Sequence, residues 1–348
     1  ATGAHRLGRE WALDKTQEPD GATYDGVGPV KDLDDGAAWL DRFTDAAGGR
    51  LVVAGGSYIG IEMAEAALRR GFKVTLVTRS RVMSSFDPDM SDRIVEGLRR
   101  GGVEVVENAA VTGLGTSEGR VRSVGTDSGS FACDLLVLAL GIRPATGFLD
   151  GNVLERGPSG GLRPDPRGVV APGVWAAGDC CEVRHRMLDD WAYLPLGTHA
   201  NKLGRAVGEN LGGGHLEFDG ALGTAITRFV EDGVHLEIAC TGLNTALAEE
   251  TGLEVVSLVT EGTTASGYMP EAEPIAIKVL AEKGTRRLLG VQVVGGRGAG
   301  KRIDAVAACL WGEMTVDDLA WMDLSYAPPF ATAWEVVSLA ARRLAERL

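Results

Sequence analysis

The stretch Gly55-Gly56-Ser57-Tyr58-Ile59-Gly60, set between an apolar run at Leu51–Ala54 and a helical pattern at Tyr58–Arg70, constrains the fold more than any other feature of the chain. It reads Gly-x-Ser-x-x-Gly at a strand-to-helix junction, inside a βαβ unit completed by Lys73–Val77. Gly55 permits the tight turn, the small Ser57 lets backbone approach a pyrophosphate, and Gly60 lets the helix pack closely on the sheet. Helix N–H groups then face the anion. A bare match of this kind also describes a glycine-rich structural turn; its place between strand and helix favours nucleotide binding.

The alternation continues with a helix at Met90–Arg100, a strand at Val103–Glu107, two hairpin-spaced runs at Val111–Gly115 and Arg120–Gly125, and a buried strand at Cys133–Ala139. Strand and helix in alternation predict a parallel sheet with right-handed crossovers. A helix from Asp32 to Ala47 precedes it, and residues 5–30, polar and rich in turn signals such as Pro19-Asp20-Gly21, read as a connector. The end of the second strand discriminates between dinucleotides, because an acid there binds a ribose 2′-hydroxyl and arginines accept a 2′-phosphate. The segment is Val77-Thr78-Arg79-Ser80-Arg81. Thr78, Arg79 and Arg81 therefore favour NADP(H) over NAD(H), against the alternative of two solvated surface arginines.

Residues 149–222 form a second block, containing the strand-like Val174-Trp175-Ala176-Ala177 that runs into Gly178-Asp179, and a helix from about Thr198 to Leu211. From Ala225 onward come strands near Ala225–Val230, Val234–Thr241, Val255–Thr260, Ile275–Ala281 and Leu288–Val294, then helices near Arg302–Gly312 and Thr332–Leu348. Strands followed by helices predict an α+β domain. The expected division is 1–31, 32–148, 149–222 and 223–348, in keeping with a length of 348 residues.

Charge and composition exclude several classes. With 48 acidic against 35 basic residues the net charge is −13, which opposes a nonspecific grip on nucleic acid or on anionic membrane lipid. No apolar run reaches the roughly 18 residues of a membrane span. Five cysteines, Cys133, Cys180, Cys181, Cys240 and Cys309, lack metal-like spacing, so no metal site is expected, and a reducing cytoplasm suits them. Cys180-Cys181 reads as two small buried residues near a cofactor rather than a redox pair, since a disulfide between neighbours needs a distorted peptide. His185 and His199 read as structural. The run Gly295–Lys301 imitates a phosphate loop, but Arg302 stands where a magnesium-binding Ser or Thr is needed, so it reads as a structural loop.

Ala1-Thr2-Gly3-Ala4, Gly55–Glu65, Ala139–Pro144, Val174–Asp179, Leu194–Arg205, Lys301–Asp304 and Tyr326–Phe330 occur in one order along the chain. That order resembles the pyridine nucleotide-disulfide oxidoreductases, in the branch of coenzyme A disulfide reductases, NADH oxidases and NADH peroxidases. Lys301-Arg302-Ile303-Asp304 and Tyr326-Ala327-Pro328-Pro329-Phe330 are the most branch-specific, and no histidine lies beyond His235 where other relatives place a catalytic one. The resemblance implies an α/β fold with a Rossmann-like NAD(P) domain inserted in a partial FAD-binding domain, followed by a C-terminal α+β dimerisation domain.

The resemblance further implies NAD(P) contacts at Tyr58, Ile59, Glu62 and Gly141, with Tyr58 as a gate over the nicotinamide pocket. FAD contacts fall on Thr2, Gly3, Gly178, Asp179, Leu196, Gly197 and Thr198. Tyr268 and Tyr326 correspond to tyrosines on the substrate side, the latter reaching across from a partner subunit. Relatives carry a preceding segment with a first Gly-rich βαβ and the redox-active cysteine, and none of the five cysteines here matches that position. The expected activity is hydride transfer from NAD(P)H to FAD and on to a disulfide such as that of coenzyme A, in a homodimer. An NAD(P)H oxidase or peroxidase acting on an oxygen species, and a noncatalytic NAD(P)-binding dimerisation fragment, are the alternatives.

Overall fold

The computed structural model describes residues 2–6, 24–150 and 154–348; the turn signals at Pro19–Gly21 lie outside them. Strand β1 (Ala4–Arg6) opens the described chain and β2 (Val27–Pro29) precedes helix α1 (Leu33–Asp45). Then follow β3 (Arg50–Ala54), α2 (Tyr58–Leu68), β4 (Lys73–Val77), α3 (Pro88–Arg100) and β5 (Val103–Val106). An antiparallel meander β6 (Val111–Ser117), β7 (Arg120–Thr126) and β8 (Gly129–Ala132) leads into β9 (Leu135–Leu138) and β10 (Ile142–Pro144). Strands β2-β9-β3-β4-β5 pair in parallel as one five-stranded sheet.

Two segments of the presumed connector are strands. Val27–Pro29 pairs with Leu136–Leu138 at the edge of the parallel sheet, and Ala4–Arg6 pairs antiparallel with Ile142–Pro144. Neither is long enough to show a period of two, and a Gly-Pro step masks the first. Proline is tolerated there because an edge strand leaves one row of backbone groups unpaired.

Beyond β10 two short hairpins, β11 (Val169–Ala171) with β12 (Val174–Trp175) and β13 (Val183–His185) with β14 (Asp190–Ala192), precede the long helix α4 (Gly197–Leu211). The C-terminal sheet is antiparallel, in the order β15 (Ala225–Glu231), β16 (Val234–Gly242), β19 (Leu288–Gly295), β18 (Pro274–Glu282), β17 (Val255–Thr263). Helix α5 (Thr245–Glu250) connects β16 to β17, and α6 (Ile303–Trp311), α7 (Val316–Trp321) and α8 (Val336–Ala345) close the chain.

Strands β18 and β19 read as apolar runs, broken inside only by the facing pair Lys278 and Gln292, because the sheet is covered on both faces. Ile277, Val279, Val291 and Val293 pack with Ile303, Val306, Leu310, Val337 and Leu344 of the helices. On the other face, Ile238, Ala276 and Val294 join Phe229 and Leu236 in one core with Leu51, Ile61, Leu76, Ile94 and Leu98 of the parallel-sheet unit. Close approach is built in: a Cβ at Gly101 of the α3 C-cap would lie 2.3 Å from the Phe229 ring, and one at Gly97 would lie 2.7 Å from Leu236.

Candidate functional site

The turn after β3 is held by backbone alone. Gly55 donates its N–H to the Val77 carbonyl at 2.8 Å and takes φ +117°, a region closed to residues with a Cβ. A Cβ there would sit 2.1 Å from the Ala139 carbonyl oxygen, and one at Gly60 would sit 2.0 Å from that of Gly55. Gly60 is thus demanded by the strand-turn-helix unit itself, and Gly55 by the chain after β9 that passes over the turn. Ser57 caps α2 in an extended conformation, yet its side chain makes no cap hydrogen bond.

That last point separates helix starts into two kinds. Asp32, Asn244, Thr315 and Glu335 each accept an amide of their own first turn and so satisfy it. At α2, α3, α4 and α6 the caps Ser57, Asp87, Leu196 and Arg302 make no such bond. Helix α6 runs on from the 3-10 turn Gly300–Arg302 and Asp87 faces Lys278, which leaves the α2 and α4 starts. Both starts border the same cavity of about 940 Å³. Orphan amides carry the positive end of the helix dipole, so both termini are disposed toward anionic or electron-rich groups.

Ser57, Tyr58, Ile59 and Glu62 line the cavity from one side, Gly141 from the strand edge, and Leu196, Gly197 and Thr198 from the start of α4. Tyr193 lines it too and donates its hydroxyl to the Asp179 carbonyl at 3.1 Å, which sets Asp179 just behind the wall. The Asp179 carboxylate lies 4.0 Å from the Lys31 ammonium. Thr2, Gly3, Gly178 and Asp179 are outside the lining, with Gly3 accepting the Ala145 amide and Gly178 at φ +83°. His199 also faces the cavity; its ring is bonded to the Leu194 carbonyl, and burial holds it below the usual histidine range, hence neutral.

Thr78 is buried at the end of β4, while Arg79 is exposed and, among the described residues, without an ion-pair partner. Arg81 is engaged, its guanidinium 2.5 Å from Asp92. These three do not line the cavity; they follow β4, where an adenosine half is expected. Tyr268 and Tyr326 are 76% and 52% exposed, on adjoining loops tied by the Ser266 N–H to the Pro328 carbonyl, and do not line the cavity. Trp321 and Phe330, on the same segment as Tyr326, are exposed as well, and Trp334 stacks edge-on against Trp321 at 5.5 Å.

The Gly295–Lys301 loop nests an anion, but a resident one. Gly298 and Gly300 donate backbone N–H groups to the Glu237 carboxylate at 3.1 and 2.7 Å, and Arg297 donates to Glu273 at 3.0 Å. Cys180 and Cys181 are buried with sulfurs 3.7 Å apart and unbonded, and their mutual hydrogen bond pushes the Cys180 thiol down and the Cys181 thiol up. Among the described residues no group of three or more His, Cys, Asp or Glu side chains forms a metal cluster.

Two contacts were invisible in the local motif. The Tyr58 hydroxyl meets the Cys240 thiol at 3.6 Å, and Glu62 accepts a hydrogen bond from Thr227 at 2.9 Å, both partners coming from the C-terminal sheet. Burial pushes the Tyr58 phenol up, so it stays protonated.

Residues 14–200 match the family model described as pyridine nucleotide-disulphide oxidoreductase, more than half of the chain. The chain belongs to the pyridine nucleotide-disulphide oxidoreductase family. Residues 234–337 match that family's dimerisation domain. A relative from Pyrococcus horikoshii named NAD(P)H coenzyme A polysulfide/persulfide reductase is 37% identical over 84% of this chain and 65% of its own length. An NADH oxidase from Enterococcus faecalis is 31% identical over 86% of this chain and 67% of its own. Among solved structures, the NAD-dependent persulfide reductase of A. fulgidus superposes with a TM-score of 0.88 at 29% identity, covering 99% of this chain and 62% of that one. The water-forming NADH oxidase of Lactobacillus brevis gives the same TM-score at 27% identity, with 99% and 74% covered. The chain thus spans just under two thirds of the length of the first of these relatives. Among the described residues no helix is long and apolar enough to cross a membrane.

Proposed function

We propose that the chain acts in FAD-dependent oxidation of NAD(P)H coupled to reduction of a disulfide or persulfide, such as that of coenzyme A. The observation that carries this reading is the convergence of two uncapped helix starts, at Ser57 and Leu196, on one cavity of about 940 Å³. One start belongs to a dinucleotide-binding βαβ, and the other opens a 15-residue helix. The residues fit the groups. The Gly55–Gly60 turn and the first-turn amides of α2 suit a pyrophosphate, and the α4 start with Leu196, Gly197 and Thr198 suits the electron-rich edge of a flavin.

In this reading hydride acceptance from nicotinamide and onward delivery to sulfur is the chemistry that a flavin supplies when bound. The protein binds and orients. Tyr58, Ile59 and Glu62 wall the nicotinamide side, and Tyr58 keeps its proton. Asp179 holds a ribityl chain, with Thr2, Gly3 and Gly178 beside it. Arg79 receives the 2′-phosphate, which favours NADP(H) over NAD(H), and Arg81 assists to the extent that Asp92 releases it. Tyr268 and Tyr326, exposed in one protomer with Phe330 and Trp321, serve a homodimer interface near the substrate. Five unpaired cysteines suit a reducing cytoplasm.

Turnover of an oxygen species on the same scaffold is the second reading, favoured by an NADH oxidase fitting as well as a persulfide reductase. The test is consumption of NADPH or NADH by the purified protein supplied with FAD, with coenzyme A disulfide, a persulfide or dioxygen as acceptor. Acceptor-dependent consumption with a sulfur acceptor supports the first reading; consumption with dioxygen alone selects the second. Dinucleotide binding without consumption leaves the noncatalytic module, and absence of binding overturns all three.

A further inference from the structure

Tyr58 and Glu62 are spaced i, i+4 and so share one face of α2. Ser85 of the same unit also bonds the Tyr58 hydroxyl, and the further partners of both side chains come from the C-terminal sheet. The Tyr58 hydroxyl shares a 3.6 Å hydrogen bond with the Cys240 thiol of β16, and Thr227 of β15 donates its hydroxyl to Glu62 at 2.9 Å. In the sheet register Ala225 lies opposite Cys240 and Thr227 opposite Ile238, so both partners stand on the sheet face turned toward α2. One helix face is thus matched against one sheet face at two polar points.

We infer that Cys240 and Thr227 are positioning residues for the dinucleotide site, fixing from the C-terminal sheet the directions of Tyr58 and Glu62 on the cavity wall. The inference rests on reading that cavity as the dinucleotide site. Burial keeps both the phenol and the thiol protonated, so the Tyr58–Cys240 contact is between neutral groups across ordinary pH. A wall side chain already held in one rotamer loses little freedom when a ligand arrives. Docking of the helix does not depend on these two contacts. Glu65 accepts the Val230 amide at 2.8 Å, Arg69 donates to the Val230 carbonyl at 3.1 Å, and Arg69 faces Glu231 at 3.7 Å. Removing Cys240 or Thr227 therefore loosens two side chains and leaves the helix seated.

The experiment is calorimetric titration of the purified protein and its Cys240→Val, Cys240→Ser, Thr227→Val and Thr227→Ser variants with NADPH and, separately, with adenosine 2′,5′-bisphosphate. The valine variants are expected to bind NADPH roughly 3- to 10-fold more weakly, the effect of one lost hydrogen bond. The bisphosphate, which reaches only the side of Thr78, Arg79 and Arg81, is expected to bind unchanged. Serine variants restore NADPH binding because they keep the polar atom. Valine variants that bind NADPH like the parent, or that lose both ligands alike, overturn the inference while the parent's binding upholds the cavity reading. A parent that binds neither ligand overturns both.

Discussion

The Lys278 ammonium lies 2.9 Å from the Asp87 carboxylate, with the lysine side chain 10% exposed and the aspartate 2%. Asp87 caps α3 and Lys278 lies in β18, so the pair ties the parallel-sheet unit to the C-terminal sheet. Asp89 also accepts from Lys278, Thr245 donates to Asp87 through both its amide and its hydroxyl, and the Asp87 amide donates to Gln292.

Removing one partner from such a pair leaves the other charge buried. Lys278→Met is expected to lower stability by about 3 kcal/mol or more, and Asp87→Asn with Lys278→Met by less than the sum of the two single changes. Urea denaturation of the two single variants and the double variant measures this. Additive losses would show that the charges are not coupled.

Arg79→Ala is expected to weaken NADPH binding by roughly 10-fold while NADH binding changes little, since an arginine–phosphate hydrogen bond is lost only with the phosphorylated ribose. Arg81→Ala is expected to cost less, because Arg81 is already paired with Asp92. Equal losses for the two nucleotides would remove Arg79 from the 2′-phosphate site.

His185 is buried and its pKa is held down to about 4 by loss of solvation. The unfolded chain takes up that proton near pH 6.5, at the ordinary histidine value. This group's contribution is therefore complete above about pH 6.5 and is lost as pH falls toward about 4, on the order of 3 kcal/mol across that window. His185→Gln is expected to flatten the loss between about pH 7 and about pH 5 without abolishing it, because His199 is lowered by burial too. Chemical denaturation at the two pH values measures it, and an unchanged slope would show that His185 takes no part.

Phe330 and Trp321 are each 74% exposed, on the segment that also carries the half-exposed Tyr326. A patch of this kind on a dimerisation domain is expected to be covered by a second copy. Phe330→Asp is then expected to shift the sedimentation coefficient from that of a dimer to that of a monomer, with little change in monomer secondary structure. A variant that sediments like the parent would place the interface elsewhere.

The βαβ core was legible because its signals are local. Gly60 is required by a contact within one turn, to Gly55, while Gly55 is signalled by the same motif although the atom it must clear belongs to Ala139 after β9, and the apolar periods of β3, α2 and β4 are set by burial of each element on the same sheet. The loop at Gly295–Lys301 was legible for the same reason, since Arg302 already marked it as unlike a phosphate loop. Strand β2 was not, because three residues ending in proline carry no period and gain their strand character only by pairing with Leu136–Leu138.

The site divides along the same line. The amino-acid sequence by itself determined the longer strands and helices, the glycine turn, and the arginines that follow β4, because each is signalled by residues close together in the chain. Tertiary structure alone decided that the starts of α2 and α4 share one cavity, that Tyr58 and Glu62 are held by Cys240 and Thr227, and that Arg81 is engaged by Asp92 while Arg79 is free of ion pairs among the described residues. Those facts depend on where the C-terminal sheet docks, and docking is set by a shared apolar core that includes Phe229, Leu236 and Ile94, with no single motif encoding it.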